Sequence, residues 1–165
     1  MKSEEGGGRS VAITTDSEGE TKRLAESLAP LLEVGDVISL TGDLGAGKTC
    51  FVQGLAAGLG VAEAVTSPTF TIIKQYQGRL PLYHFDVYRL TGPKDLESLG
   101  HEEYFYGSGV TVVEWGDKIK ESLPADCLTI EMHRSIEAPE SRRLVISSSG
   151  RRSANLLRGV GGRRA

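Results

Sequence analysis

The segment Gly42-Asp43-Leu44-Gly45-Ala46-Gly47-Lys48-Thr49 completes the pattern G-x-x-x-x-G-K-[ST]. It restricts the chain to folds in which a buried strand enters a tight glycine turn and leaves as a helix. Both flanks agree. Val37-Ile38-Ser39-Leu40 upstream is short and apolar enough for a buried strand, and Phe51 to Leu59 reads as the first turns of a helix. Glycines at these places let successive backbone N–H groups converge on an anion at a helix N-terminus, where the helix dipole already favours negative charge. In that arrangement Lys48 neutralises the β- and γ-phosphates of a nucleotide and the Thr49 hydroxyl binds Mg²⁺. The pattern implies a nucleotide-binding chain.

Length limits what can accompany that loop. The chain has 165 residues, which suits one domain rather than separate catalytic and substrate domains. With 39% hydrophobic and 25% charged residues it has the composition of an ordinary globular protein. No apolar run approaches the ~20 residues of a membrane span, and the polar, glycine-rich start is no signal peptide, so a cytoplasmic location is expected. Cys50 and Cys127 form no C-x-x-C pair and read as reduced packing residues. From Ser141 onward there are seven arginines and no acid, which leaves −10 of the net −3 on the preceding residues. Such a basic end reads equally as a solvated tail with a short helix at 154–157 or as a contact for RNA or an acidic partner. The expected organisation is a flexible tail over 1–10, a phosphate-loop domain over 11–149 and a basic tail over 150–165.

Within the domain, Val11–Thr14 reads as a first strand. Ser17 and Glu20 form a capping box ahead of a helix carrying Leu24, Leu28, Leu31 and Leu32. Thr71–Tyr76 and Leu80–Tyr88 flank Gln77-Gly78-Arg79, a hairpin signal. A helix from Pro93 to about Tyr104, a strand Val110–Trp115, an amphipathic stretch Asp117–Leu123 and strands Cys127–Met132 and Arg143–Ser147 complete the set. Alternating strands and helices point to an α/β class: a P-loop NTPase-like three-layer domain, mainly parallel in its sheet, with added antiparallel hairpin strands.

Two acids are candidates for the chemistry. Glu114 ends a strongly apolar strand and is therefore delivered to the C-terminal edge of the sheet, beside the loop, where it can bind Mg²⁺ or polarise a water. In Tyr83-His84-Phe85-Asp86-Val87-Tyr88-Arg89, period two places His84, Asp86 and Tyr88 on one face. Asp86 is read as a metal or water-orienting group. His84 and Arg89 read equally as site groups or as a cross-strand polar cluster. Thr66-Ser67-Pro68-Thr69-Phe70 lies where many phosphate-loop proteins sense the γ-phosphate. Trp115, the one tryptophan, follows Glu114 directly as core or as an exposed aromatic face. No Asn-Lys-x-Asp stands on a late strand, so adenine is favoured over guanine.

The four blocks Gly42–Thr49, Ser67-Pro68-Thr69-Phe70, His84-Phe85-Asp86-Val87-Tyr88-Arg89 and Val113-Glu114-Trp115, in this order, resemble the TsaE (YjeE) family. The resemblance covers about Val11 to Ser149. It implies an ATPase that serves threonylcarbamoyladenosine modification of tRNA, weak alone and active with the paralogous partners TsaB and TsaD, with tRNA met indirectly through the complex. Carried onto this chain, it implies that Gly42, Asp43, Leu44, Gly45, Ala46, Gly47, Lys48, Thr49 and Cys50 hold ATP. Thr49 and Glu114 then hold Mg²⁺, Asp86 and Glu114 act with Lys48 in hydrolysis, and Trp115 lies beside the nucleotide. Near the first strand–helix turn Ser17, Glu18 and Thr21 are the adenine candidates, Glu18 foremost. Cys50 stands where many members carry Thr. Two other readings remain: a small-molecule kinase, whose lid would have to come from Arg89 with Arg142 or Arg143, and a non-hydrolytic ATP-sensing switch.

Overall fold

The computed structural model describes residues 9–163. Four strands form the middle of a seven-stranded sheet. Val37–Thr41 (β2), Pro81–Asp86 (β4), Val110–Glu114 (β5) and Leu128–Arg134 (β6) lie in parallel, in the spatial order β6-β2-β5-β4. Strands buried on both sides show no apolar–polar alternation in burial, which is why β2 and β5 are largely Val, Ile and Leu, with Ser39 and Thr111 as small buried exceptions. The margins are antiparallel. Arg9–Thr15 (β1) and Arg142–Ser148 (β7) extend the sheet beyond β6, and Ile73–Gln77 (β3) pairs with β4 at the other edge. The three-layer α/β reading with an added hairpin therefore holds, with the parallel part confined to the centre.

One face of the sheet, carrying Ile38, Leu40, Val112 and Ile130, is covered by helices Glu18–Leu28 (α1), Lys48–Gly58 (α2) and Arg151–Arg163 (α5). The other, carrying Val37, Phe85 and Val113, packs under Pro93–Ser98 (α3), His101–Phe105 (α4) and the 3-10 segment Gly116–Ser122. Helix α1 starts as its sequence requires. Ser17 is extended at φ −157° and its hydroxyl accepts the Glu20 N–H at 3.1 Å, while the Glu20 carboxylate reaches back to the Asp16 N–H at 2.8 Å. Helices α1 and α2 cross closely because Gly54 has no side chain: a Cβ there would stand 2.3 Å from the Lys22 carbonyl oxygen.

Three boundaries differ from the sequence reading. The helix expected from Pro93 to Tyr104 is two, because Gly100 takes a left-handed φ of +70° between α3 and α4. Strand β3 starts at Ile73 rather than Thr71, since Ile72 has φ +73° and turns the chain; its N–H bonds to the Pro68 carbonyl and its own carbonyl accepts the Asp86 N–H. The largest difference is the C-terminal region. Residues 151–163 form helix α5 against the sheet, with Leu156, Leu157 and Val160 in the core, rather than a separate basic tail. Its start is capped by Asp126, which accepts the N–H groups of Arg152 and Ser153 at 2.8 and 2.9 Å. Burial of Asp126 tends to raise its pKa, but these bonds together outweigh that and hold it below the usual carboxylate range. Arg152 grips the buried Asp36 with two bonds of 2.8 Å and the Leu31 carbonyl with a third. The expected N-terminal tail, residues 1–10, meets the structure only at Arg9 and Ser10, which already belong to β1; residues 1–8 lie outside the described part. Among the described residues no helix is long and apolar enough to cross a membrane.

Candidate functional site

The loop between β2 and α2 is built from left-handed glycines. Gly42, Gly45 and Gly47 have φ of +134°, +80° and +103°, and a Cβ on Gly42 would lie 2.4 Å from the Met132 carbonyl oxygen. Such conformations aim backbone N–H groups into a common concavity that suits phosphate oxygens. Lys48, on the first turn of α2, is only 5% exposed. Its ammonium donates to the carbonyls of Gly42 and Asp43 at 2.7 and 2.9 Å and sits 3.9 Å from the centre of the Trp115 ring. Burial lowers the lysine's pKa, opposed by the negative field of Glu114, Asp86, Asp117 and Asp43.

The parallel register sets Asp86 and Glu114 side by side at the ends of β4 and β5. Both are buried at the sheet edge next to the loop. Thr49, one residue beyond Lys48, donates its hydroxyl to the Glu114 carboxylate at 2.9 and 3.1 Å across 65 residues of sequence. His84 Nε2 lies 2.7 Å from Glu114 Oε2. Asp86 is engaged differently. Its Oδ2 accepts from Ser67 and Thr69 at 3.1 and 3.2 Å and its Oδ1 from the Tyr88 N–H at 3.0 Å, so the acid ties residues 67–69 to the site. Trp115 turns the chain out of β5 in a left-handed conformation, φ +67° and ψ +35°, which costs a side-chain-bearing residue about 1–2 kcal/mol. That strain sets the indole over Lys48, and Tyr88 packs on the same ring at 4.7 Å.

Lys48, Thr49, Asp86, Glu114 and Trp115 line a cleft of about 570 Å³ together with Glu18, Cys50, Gln53 and Arg142. A second hollow of about 370 Å³ adjoins it, bounded by Glu18, Thr21, Cys50, Pro139 and Arg142. Of the sequence candidates, Leu44, Gly45, Gly47, Lys48, Thr49, Cys50, Glu18, Asp86, Glu114 and Trp115 all line the larger cleft. Asp43 and Gly42 stand at the loop's base as partners of Lys48, and Ala46 is turned into the core. Ser17 serves the helix cap instead, with Thr21 behind it holding Thr15. Cys50 is half-buried, and its thiol is pushed up by burial and then by Glu18. Cys127 is buried away from the cleft and is pushed up to about 12, chiefly by burial, so it is an inert packing group.

Arg142, which the sequence offers only as a lid arginine of the kinase alternative, instead supports the loop. Its guanidinium donates to the Ala46 carbonyl at 2.7 Å and to Pro139, bracing the loop from β7. Nothing local marks it; only the β6–β7 register, which pairs Arg142 with Arg134, brings it there. Gln53 had a readable signal, one turn after Thr49 on α2, and it holds the Val65 carbonyl at 2.9 Å. Arg89 stands over Phe70, 5.4 Å from the ring centre, and neither is among the residues that line the cleft.

The donor set fits a small hard cation. Cis ligands of an octahedral Mg²⁺ at its usual bond length are about 3.0 Å apart, and the Thr49 and Glu114 oxygens are separated by 2.9 and 3.1 Å. Both are oxygen donors, as a hard cation requires; among the described residues no group of three or more His, Cys, Asp or Glu side chains is placed to hold a metal ion by itself.

The chain has relatives among known proteins. The family model described as Threonylcarbamoyl adenosine biosynthesis protein TsaE matches residues 15–144. The chain belongs to the TsaE family. It is 50% identical over 113 residues to the tRNA threonylcarbamoyladenosine biosynthesis protein TsaE of Treponema pallidum, covering 68% of this chain and 84% of that one. The protein of the same name from Bacillus subtilis is 48% identical over 134 residues, 81% of this chain and 82% of its own. The crystal structure of Bacillus subtilis YdiB superposes with a TM-score of 0.81 at 40% identity, covering 94% of this chain and 96% of that one. The resemblance carried by the four motif blocks is thus a family membership, and the fold is that of its relatives.

Proposed function

We propose that this chain is a Mg²⁺-dependent ATPase of tRNA threonylcarbamoyladenosine biosynthesis, acting with TsaB and TsaD and meeting tRNA only through that complex. One observation carries the reading: a hydroxyl from the loop helix and a carboxylate from β5 meet at 2.9 Å beside Lys48. A glycine-rich turn that merely connected a strand to a helix would need no buried acid opposite it. The family's part in threonylcarbamoyladenosine biosynthesis supplies the pathway.

The loop amides and Lys48 bind the β- and γ-phosphates, with the lysine leaving its carbonyl partners for charged oxygens. Thr49 and Glu114 would hold Mg²⁺, which would supply positive charge to offset that of the phosphates. Asp86 orients the attacking water, and its bonds to Ser67 and Thr69 make the 66–70 segment responsive to what occupies the γ-position. The hollow between Glu18, Thr21 and Cys50 takes the adenine. Nucleotide state then governs assembly with the partners.

Turnover of ATP is the test. The chain alone should hydrolyse ATP slowly with Mg²⁺ and faster when TsaB and TsaD are added together. Unchanged turnover, with no nucleotide-dependent capture of those proteins, rejects the proposal. Appearance of a phosphorylated small-molecule acceptor would replace it with a kinase.

A further inference from the structure

We infer that His84 is a positioning residue for the cation-binding carboxylate, and the inference rests on the reading of Glu114 as a Mg²⁺ ligand. His84 is fully buried on β4, and Nε2 stands 2.7 Å from Glu114 Oε2, at the short end of charge-assisted N–H···O bonds. Its other nitrogen, Nδ1, is buried without a hydrogen-bond partner. A histidine kept only to fill the core would leave that site cheaper as leucine, because an imidazole nitrogen buried unbonded costs free energy. The one polar contact of the ring is therefore the one at Glu114. The same orphaned atom fixes the tautomer: a proton on Nδ1 would point at no acceptor, so the ring carries its hydrogen on Nε2 and donates it to the acid.

The register explains why this bond is needed. Val112, not Glu114, is the neighbour of His84 across the strands, so the imidazole reaches diagonally along the sheet to grip the acid two residues further on. With Oε2 held from behind, the carboxylate keeps both oxygens at 2.9 and 3.1 Å from the Thr49 hydroxyl. Glu114 otherwise has an obvious competitor in the same cleft. Lys48 feels its field strongly enough that Glu114 is the foremost charge opposing the lysine's desolvation. Released from His84, the carboxylate can swing into an ion pair with Lys48, and both the cation ligand and the phosphate ligand are withdrawn together. His84 keeps the acid and the lysine apart, each aimed at its own part of a magnesium nucleotide.

Three variants separate this role from packing. Glutamine places an amide N–H near the position of Nε2, asparagine places one near Nδ1, and leucine supplies none. Mn²⁺, as a probe for the Mg²⁺ site, is titrated into protein saturated with a non-hydrolysable ATP analogue, and free Mn²⁺ is counted by electron paramagnetic resonance. His84→Leu and His84→Asn should weaken Mn²⁺ binding by about 10–100-fold, and His84→Gln by no more than about threefold, as for groups that orient a metal ligand. Binding of the analogue without metal should weaken by a smaller factor in His84→Leu and His84→Asn, because the released acid draws Lys48 from the phosphates, and should stay near the wild-type level in His84→Gln. Should His84→Leu not fold, judged by its thermal transition, the Gln and Asn pair decides alone. Wild-type Mn²⁺ affinity in His84→Asn, or a loss in His84→Gln as large as in His84→Asn, overturns the inference. A wild-type chain that takes up no Mn²⁺ with the analogue overturns the magnesium reading of Glu114 itself, and this inference falls with it.

Discussion

Lys48→Ala is expected to weaken ATP binding at least about a hundredfold, roughly 2.7 kcal/mol or more, while shifting the melting temperature little. Two opposing effects decide this. The wild-type ammonium offers phosphate oxygens charge-assisted bonds worth about 1.5–3 kcal/mol each. Without it the cleft is dominated by acids: Glu114, Asp86, Asp117 and Asp43 all act on this position, and a triphosphate entering it meets their repulsion unscreened. The stability side nearly cancels. Alanine loses the bonds to the Gly42 and Asp43 carbonyls and the contact with Trp115, but it also relieves the burial of a charge that is only 5% exposed. Calorimetric titration with ATP and a thermal melt on the same sample measure both. An affinity within a fewfold of wild type would show that the lysine is not a phosphate ligand.

The second large effect concerns α5. A chain ending at Ser149 should lose cooperative unfolding or melt far below the full-length protein, followed by circular dichroism. Removal of the helix exposes the partners of Leu156, Leu157 and Val160, each worth about 1.5–3 kcal/mol when buried. It also strands Asp36. That carboxylate is 5% exposed and would keep only the Glu33 N–H after losing its paired bonds to Arg152, a change that costs about 3–5 kcal/mol when a buried pair is broken. Together these rival the whole stability of a typical domain, about 5–15 kcal/mol. A truncated chain that melts within a few degrees of the parent would make the helix the dispensable appendage its composition suggests.

That composition explains where the sequence was and was not legible. Gly42–Thr49 could be read because its chemistry is local: glycines, a lysine and a hydroxyl within one turn. Glu114 could be read because the apolar run Val110–Val113 fixes both the strand and the end at which it emerges. Helix α5 could not. Arg151, Arg152, Arg158 and Arg163 outweigh a sparse apolar stripe, and only the fold shows that Asp36 and Asp126, far back in the chain, receive its first turn. Arg142 is hidden for the same reason, since its place depends on how β7 pairs with β6. The left-handed Ile72 and Trp115 are backbone choices enforced by packing, against the propensity of the residues that make them, whereas the split at Gly100 uses a conformation that glycine adopts freely. Period two correctly put His84 and Asp86 on one face, but not that they would divide: one grips Glu114, the other holds Ser67 and Thr69.

Calorimetric titration of ATP into the wild-type chain, once with Mg²⁺ and once with a chelator, bears most directly on whether this cleft holds a magnesium triphosphate. Saturable, stoichiometric binding that tightens with Mg²⁺, and loses that gain in Glu114→Gln, is the expected result. No saturable heat at millimolar ATP, or a Mg²⁺ gain that survives intact in Glu114→Gln, would contradict it.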